Sequence, residues 1–165
     1  MLDSPEFVRG RAGEMTVAAW LQERGWFVVP SYDYSGQDGK KPPRLQGLVS
    51  GYAIPDLDIA RKGLRIWAEV KVKAGPTYHR ITGVFEHGIS ARLHRHYQEV
   101  QDITGTPVWF FILEEEVSLL IAQAMDQLGA PRVYDGSKMG RDGMVFWPRE
   151  RFRVLAELAK QGIAA

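Results

Sequence analysis

Apolar positions near the start of the chain repeat with the period of an α-helix. Ser4 can cap a helix that begins at Pro5, and Gly25 can end it. The apolar run at 26–29 then predicts a short buried strand. Residues 30–50 are rich in Gly, Pro, Ser, Tyr and Lys, and they predict a loop that is longer than most.

Strict alternation of apolar and polar side chains over 54–73 predicts a β-hairpin. A two-residue turn at Lys62 and Gly63 gathers the apolar side chains of both strands on one side and sets Asp56 opposite Glu69. A three-residue turn would place that aspartate among the apolar side chains, so the pattern favours the first register. Four charged residues are therefore expected on one face, away from the main core: Asp56, Asp58, Glu69 and Lys71.

A second helix and a core strand are predicted beyond the hairpin, after an irregular stretch. Ser90 can cap a helix that Gly105 ends, and residues 106–113 are typical of a core strand. The inner stripe of that helix is Leu93, Tyr97, Val100 and Thr104.

The pattern is weaker beyond residue 113. We expect a solvated acidic turn at 114–116, a strand running into a helix at 117–129, a hairpin at 134–147 and a closing helix that Pro148 begins. No linker divides the chain, so the sequence predicts one α/β domain over 1–165, with a core at 5–113 and an α+β extension at 114–165.

The composition is that of an ordinary soluble protein, with 45% apolar and 25% charged residues. The chain has no cysteine, which excludes disulfides, thiolate zinc sites and cysteine nucleophiles and fits a reducing compartment. The longest apolar run, VWFFIL, is too short to cross a bilayer. We therefore expect a cytoplasmic protein without a membrane partner.

Positive charge is concentrated in the middle of the chain. Residues 61–96 contain eight Lys and Arg but only two acidic residues, together with all four histidines. A basic segment on a nearly neutral protein favours a polyanionic partner such as nucleic acid, although a solvated basic face explains the charge alone equally well.

The predicted hairpin also carries candidate chemistry. Two carboxylates directly opposed across strands repel each other, whereas a divalent cation such as Mg²⁺ between them makes the pair favourable. Lys71 stands beside Glu69 and can orient a water or offset negative charge on a phosphate. Glu14 falls within the apolar stripe of the first helix, where an inward carboxylate needs a partner such as the metal or its water. The arrangement predicts a phosphodiester hydrolysis site.

These residues, PD at 55–56 and EVK at 69–71, resemble the signature of the PD-(D/E)XK nuclease superfamily. With RGRAGEMTVAAWLQERGWFVV before them, they are most similar to the archaeal type of Holliday-junction resolvase. The resemblance implies a restriction-endonuclease-like fold with a mixed central sheet flanked by helices, Mg²⁺-dependent cleavage of DNA with Mn²⁺ as a substitute, and often a homodimer. It assigns metal ligation to Asp56, Glu69, the Val70 carbonyl and Glu14, and catalysis to Lys71 with these carboxylates.

Candidate DNA contacts lie outside the motif: Lys40, Lys41, Arg44, Lys73, Arg80, Arg92, Gln98 and Gln101. An ordinary loop explains the first three as well, and a solvent-facing stripe explains the two glutamines. The first hypothesis is a metal-dependent DNA endonuclease that acts on duplex or branched DNA. The alternative is a non-catalytic nucleic-acid-binding or assembly protein with the same fold, and RNA as the substrate is a third option.

Overall fold

The computed structural model describes residues 4–30, 44–136 and 142–159. Its two helices are α1 (Pro5–Glu23) and α2 (Ala91–Thr104). Its strands are β1 (Phe27–Pro30), β2 (Arg44–Gln46), β3 (Gly51–Ala53), β4 (Leu57–Arg61), β5 (Leu64–Lys73), β6 (Thr77–His79), β7 (Val84–Ser90), β8 (Val108–Glu114), β9 (Leu119–Ala124), β10 (Arg132–Tyr134), β11 (Met144–Pro148) and β12 (Arg153–Glu157). None of the helices in the described part of the chain is long and apolar enough to span a bilayer.

Six strands form a mixed central sheet in the order β1-β4-β5-β8-β9-β12. The β5–β8 pair is parallel, and the other pairs of this sheet are antiparallel. A second sheet has the order β10-β11-β7-β6, and β2 and β3 form a separate two-stranded hairpin. The predicted α/β class with a mixed central sheet flanked by helices is confirmed.

Both faces of the central sheet are covered. Helix α1 buries Val17 and Leu21 against Ala68, Val70 and other apolar residues on one face. On the other face, α2 and the second sheet pack Tyr97, Val100 and Trp147 around the side chains of β5 and β8. The face that carries Trp67 and Glu69 is therefore part of the core, and the expectation that it lies away from the core is wrong.

Both helices begin and end where the capping signals predict, but one of the predicted caps makes no hydrogen bond. The hydroxyl of Ser4 accepts a hydrogen bond from the N–H of Phe7, as expected for a helix cap. Gly105 ends α2 in the left-handed conformation that favours glycine. Helix α2 begins directly after Ser90, but the buried hydroxyl of this serine makes no capping hydrogen bond.

Several predicted elements differ from the structure. Strand β1 lies at the edge of the central sheet, where β4 is its one partner among the described residues, and its Phe27 is 78% accessible. The expected long loop at 30–50 includes β2, and the expected irregular stretch before Ser90 contains β6 and β7. The expected helix after Pro148 is a 3₁₀ turn followed by β12, which pairs with β9 and extends the central sheet. The segment after residue 113 is therefore partly core, and its described residues contain no α-helix.

Candidate active site

The turn between β4 and β5 sets the register of the site. Lys62 and Gly63 both have positive φ, 46° and 83°, as a two-residue primed turn requires. The ladder pairs Leu57 with Ala68 and Asp58 with Trp67, which is the predicted register. Asp56 is thereby brought level with Glu69 at the end of the ladder.

Asp56 directly precedes β4 and is hydrogen-bonded to the backbone of β5. Its Oδ2 accepts a hydrogen bond of 2.8 Å from the N–H of Val70. In an extended strand the N–H and C=O of one residue point to the same side, as in antiparallel pairs that exchange both bonds. The Val70 carbonyl therefore also points toward the side on which Asp56 lies.

Glu69 is almost completely buried, with 2% of its surface accessible. Its Oε1 forms an ion pair with the ammonium of Lys71. Its Oε2 accepts a hydrogen bond of 2.6 Å from the hydroxyl of Tyr97 on α2. Tyr97 is thus a site residue that the sequence assigned only to the apolar stripe. The signal that could have found it is chemical, since a buried phenol needs a polar partner.

The charges at the site are unbalanced toward the negative. Burial raises the pKa of Asp56 well above its usual value, and the neighbouring Glu69 raises it further, while Lys71 and the Val70 N–H act in the opposite direction. Burial opposes the charged form of Lys71, but Glu69 and Asp56 outweigh it and raise the pKa of this lysine. Lys71 is therefore protonated at neutral pH, and one ammonium faces several carboxylates.

Glu14 on α1 belongs to the same electrostatic cluster. Burial raises its pKa, Arg11 lowers it, and Glu69 and Lys71 act on it in opposite directions. The helix comes close because Gly13 has no side chain: a Cβ there would lie 2.2 Å from Cγ2 of Val72 on β5. Glu14 thus lies near enough to Glu69 and Lys71 for their charges to shift its pKa, and its role at a metal stays a prediction.

The oxygen donors at the site suit a hard divalent cation, although they are few. The described residues contain no group of three or more His, Asp or Glu side chains arranged to hold a metal. Mg²⁺ is commonly held by only one or two carboxylates, with waters and substrate phosphates completing its shell. Asp56, Glu69 and the Val70 carbonyl are oxygen donors of that type, and the excess negative charge favours a cation beside them.

The candidate DNA contacts are distributed over several elements. Lys73 is half-buried on β5. Burial lowers its pKa, and repulsion from Lys71 and Arg9 lowers it further. Arg80 is exposed between β6 and β7, and Arg92 is exposed on α2. Lys40 and Lys41 lie outside the described residues.

The other polar candidates have mixed outcomes. Arg44 is exposed at the start of β2, and Gln98 is exposed on α2. The side-chain amide oxygen Oε1 of Gln101 accepts a hydrogen bond of 2.9 Å from the N–H of Val108. Gln101 therefore caps the start of β8, and its contact with DNA stays a prediction. Asp58 pairs with Arg65 at the surface, at 2.7 Å, and does not join the site.

No family model matches the chain, and no curated protein matches it significantly. Solved structures do match. Hjc, a Holliday junction resolvase from the hyperthermophilic archaeon Archaeoglobus fulgidus, aligns with a TM-score of 0.54 over 86% of this chain and 90% of that chain, at 12% identity. D212, a nuclease from a fusselovirus, aligns with a TM-score of 0.50 over 95% of this chain and 91% of that chain, at 13% identity. The chain therefore shares the restriction-endonuclease-like fold of these neighbours, a mixed central sheet flanked by helices.

Proposed function

We propose that this chain, which has a restriction-endonuclease-like fold, is a metal-dependent endonuclease that hydrolyses phosphodiester bonds in DNA. The observation that carries the proposal is the meeting of Asp56, Glu69 and Lys71 at the point where the β4–β5 ladder ends. A buried and a partly buried carboxylate beside a protonated lysine are costly in a purely structural sheet. They are groups that suit metal-dependent phosphodiester hydrolysis.

Each residue has a distinct role in this reaction. A bound Mg²⁺ supplies a positive charge near the phosphate and lowers the pKa of a water. Asp56, Glu69 and the Val70 carbonyl hold the ion. Lys71 carries its proton at neutral pH, so its ammonium orients the attacking water and offsets the negative charge that develops on the phosphate. Glu14 holds a second ion or water of the hydration shell.

The neighbours and the charge support the proposal that the nucleic acid is DNA. The two aligned proteins are a Holliday junction resolvase and a nuclease. The basic segment of this chain provides counter-charges for a DNA backbone. We therefore place DNA, and branched DNA in particular, before RNA as the substrate.

A cleavage panel tests the proposal. Single-stranded, duplex, flap and four-way-junction DNA, with a matched RNA duplex, are incubated with Mg²⁺, with Mn²⁺ or with EDTA. We expect metal-dependent cuts in DNA that include the junction. Asp56→Asn, Glu69→Gln and Lys71→Ala should each lower the cleavage rate by at least about 100-fold. The matched control is Asp58→Asn, two residues after Asp56 but paired with Arg65, and it should cut at the parent rate.

Parent-like cleavage by the three site variants, or cleavage that persists in EDTA, would contradict this assignment. Preference for the RNA duplex would leave the hydrolysis in place and overturn the choice of DNA.

One observation favours the alternative of a non-catalytic nucleic-acid-binding protein. Both carboxylate oxygens of Glu69 already have protein partners, Lys71 and Tyr97. A carboxylate whose two oxygens both have protein partners needs no metal ion to stabilise its charge. Metal uptake in the absence of DNA separates the two candidates, because a binding module has no reason to take up an ion at Asp56 and Glu69.

A further inference from the structure

The hairpin of β2 and β3 presents two adjacent apolar side chains at its tip. Leu48 and Val49 are 103% and 93% accessible, the two highest values among the large apolar side chains of the described residues. Neither contributes to the two hydrophobic clusters of the fold. The packing of the described residues therefore gives no explanation of their exposure.

The tip is an ordered turn. The N–H of Gly47 donates a hydrogen bond of 2.7 Å to the carbonyl of Ser50, and Arg44 donates to the carbonyl of Gly51 across the hairpin. The β2–β3 pairing also sets Gly51 opposite Gln46 and Arg44 opposite Ala53. The fold thus holds the two apolar side chains at the end of a braced projection.

The base of the hairpin is docked on α2 through His96. The N–H of Ala53 donates to Nδ1 of His96 at 2.9 Å, and the ring of Tyr52 meets the imidazole edge-on at 5.9 Å. Burial lowers the pKa of His96, and three arginines lower it further by repulsion: Arg44, Arg92 and Arg95. These three arginines are exposed. Positive charge therefore surrounds the base of a hairpin whose tip is apolar.

The hairpin is connected directly to the catalytic residues. Ala53 is followed within three residues by Asp56, and His96 is followed directly by Tyr97, which bonds Glu69. Asp56 lies seven residue steps after Val49, which even a fully extended chain spans in at most about 23 Å at roughly 3.3 Å per residue. This reach corresponds to about seven nucleotides at 3.4 Å per step along one strand.

We propose that the hairpin at 44–53 is a DNA wedge, in which Leu48 and Val49 insert between bases while the arginines at its base bind phosphates. The inference rests on the proposed action on DNA. Apolar side chains that unstack a base step are an established way to bend or open a duplex, and phosphate contacts supply the affinity. The charge at the base selects a nucleic acid over an apolar protein surface.

Base unstacking can be measured directly. Four-way-junction and duplex substrates are prepared with 2-aminopurine at successive positions along one arm, and binding is followed on the non-cleaving Asp56→Asn background. We expect fluorescence to rise at positions within about seven nucleotides of the cut made by the parent protein. The double variant Leu48→Ser with Val49→Ser should lose at least half of this rise and keep the parent melting temperature.

Two further variants sharpen the result. The matched control is Ile81→Ser, which removes another exposed apolar side chain, 91% accessible, from a different turn. It should leave the fluorescence unchanged. Replacing Arg92 or Arg95 with Ala should lower the slope of log affinity against log salt by about one for each lost phosphate contact.

The outcomes separate the wedge from the nuclease. Cleavage by the parent with no fluorescence rise, or with a rise that the double serine variant retains, would overturn the wedge and leave the nuclease standing. Unstacking by a parent that cuts no DNA would support the wedge and overturn the nuclease. A double variant that changes the oligomeric mass and leaves unstacking intact would assign the tip to a protein contact and overturn the wedge.

Discussion

The hydroxyl of Tyr97 is the side-chain contact from α2 that orients a proposed metal ligand. Buried carboxylates need hydrogen bonds to remain charged, and Tyr97 and Lys71 together satisfy both oxygens of Glu69. The alternation of side chains along the two strands of the hairpin predicted that Asp56, Glu69 and Lys71 lie on one face. That alternation could not predict the contact from Tyr97, because its approach depends on how α2 packs across the sheet.

Removing this hydroxyl should affect ion binding more than folding. Tyr97→Phe keeps the ring in the core but leaves one oxygen of Glu69 without its donor. Changes to groups that orient metal ligands typically lower metal affinity or activity by about 10- to 100-fold. We expect the Mg²⁺ concentration for half-maximal cleavage to rise within that range.

The control for this variant is Tyr78→Phe, which removes the hydroxyl of an exposed tyrosine, 53% accessible. An unchanged Mg²⁺ dependence and an unchanged rate in Tyr97→Phe would show that Tyr97 only fills space.

The approach of α1 to β5 brings Glu14 to the site, and one glycine permits it. Gly10 and Gly13 look alike in the sequence, as two breaks in a helical pattern. In the structure nothing lies within 4 Å of a Cβ built at Gly10, whereas a Cβ at Gly13 would overlap the branched side chain of Val72. The close approach of α1 to β5 could therefore not be predicted from the sequence.

Alanine at these two positions should have opposite effects on stability. Gly10→Ala should raise the free energy of unfolding by about 0.5–1 kcal/mol, because alanine favours a helix. Gly13→Ala should lower it by about 1–3 kcal/mol, because the β-branched Val72 cannot easily move aside. Urea unfolding measures both, and equal effects of the same sign would contradict the close packing of α1 on β5.

Elements near the C-terminus were harder to predict. The segment after Pro148 has apolar residues that suit either a short helix or a strand, and short apolar runs do not decide between them. The decision comes from β9, whose outer edge needs a partner that β12 supplies. Sequence patterns predicted α1, α2, β8 and the β4–β5 hairpin because caps, turns and alternation in those segments are local.

The three layers of the molecule are joined by charged groups that the sequence placed in solvent. Glu114 was expected in a solvated turn, but it is buried and accepts hydrogen bonds from Arg149, while His87 lies 2.7 Å from its Oε1. Burial opposes the charged form of Glu114, but the bonds from Arg149 and His87 outweigh it and lower its pKa. This contact joins the end of β8 to β7 and to the turn after β11. Such pairings between distant segments cannot be predicted from one sequence.

The arrangement of the layers leaves one place where acidic oxygens from neighbouring segments converge beside a lysine. Anomalous diffraction from crystals soaked in Mn²⁺ locates any ion there without depending on activity or on DNA. We predict a strong peak in contact with the carboxylates of Asp56 and Glu69 and with the Val70 carbonyl, and no such peak in Asp56→Asn crystals. A saturated soak that leaves these three groups without a peak, or that places the ion elsewhere in the molecule, would contradict it.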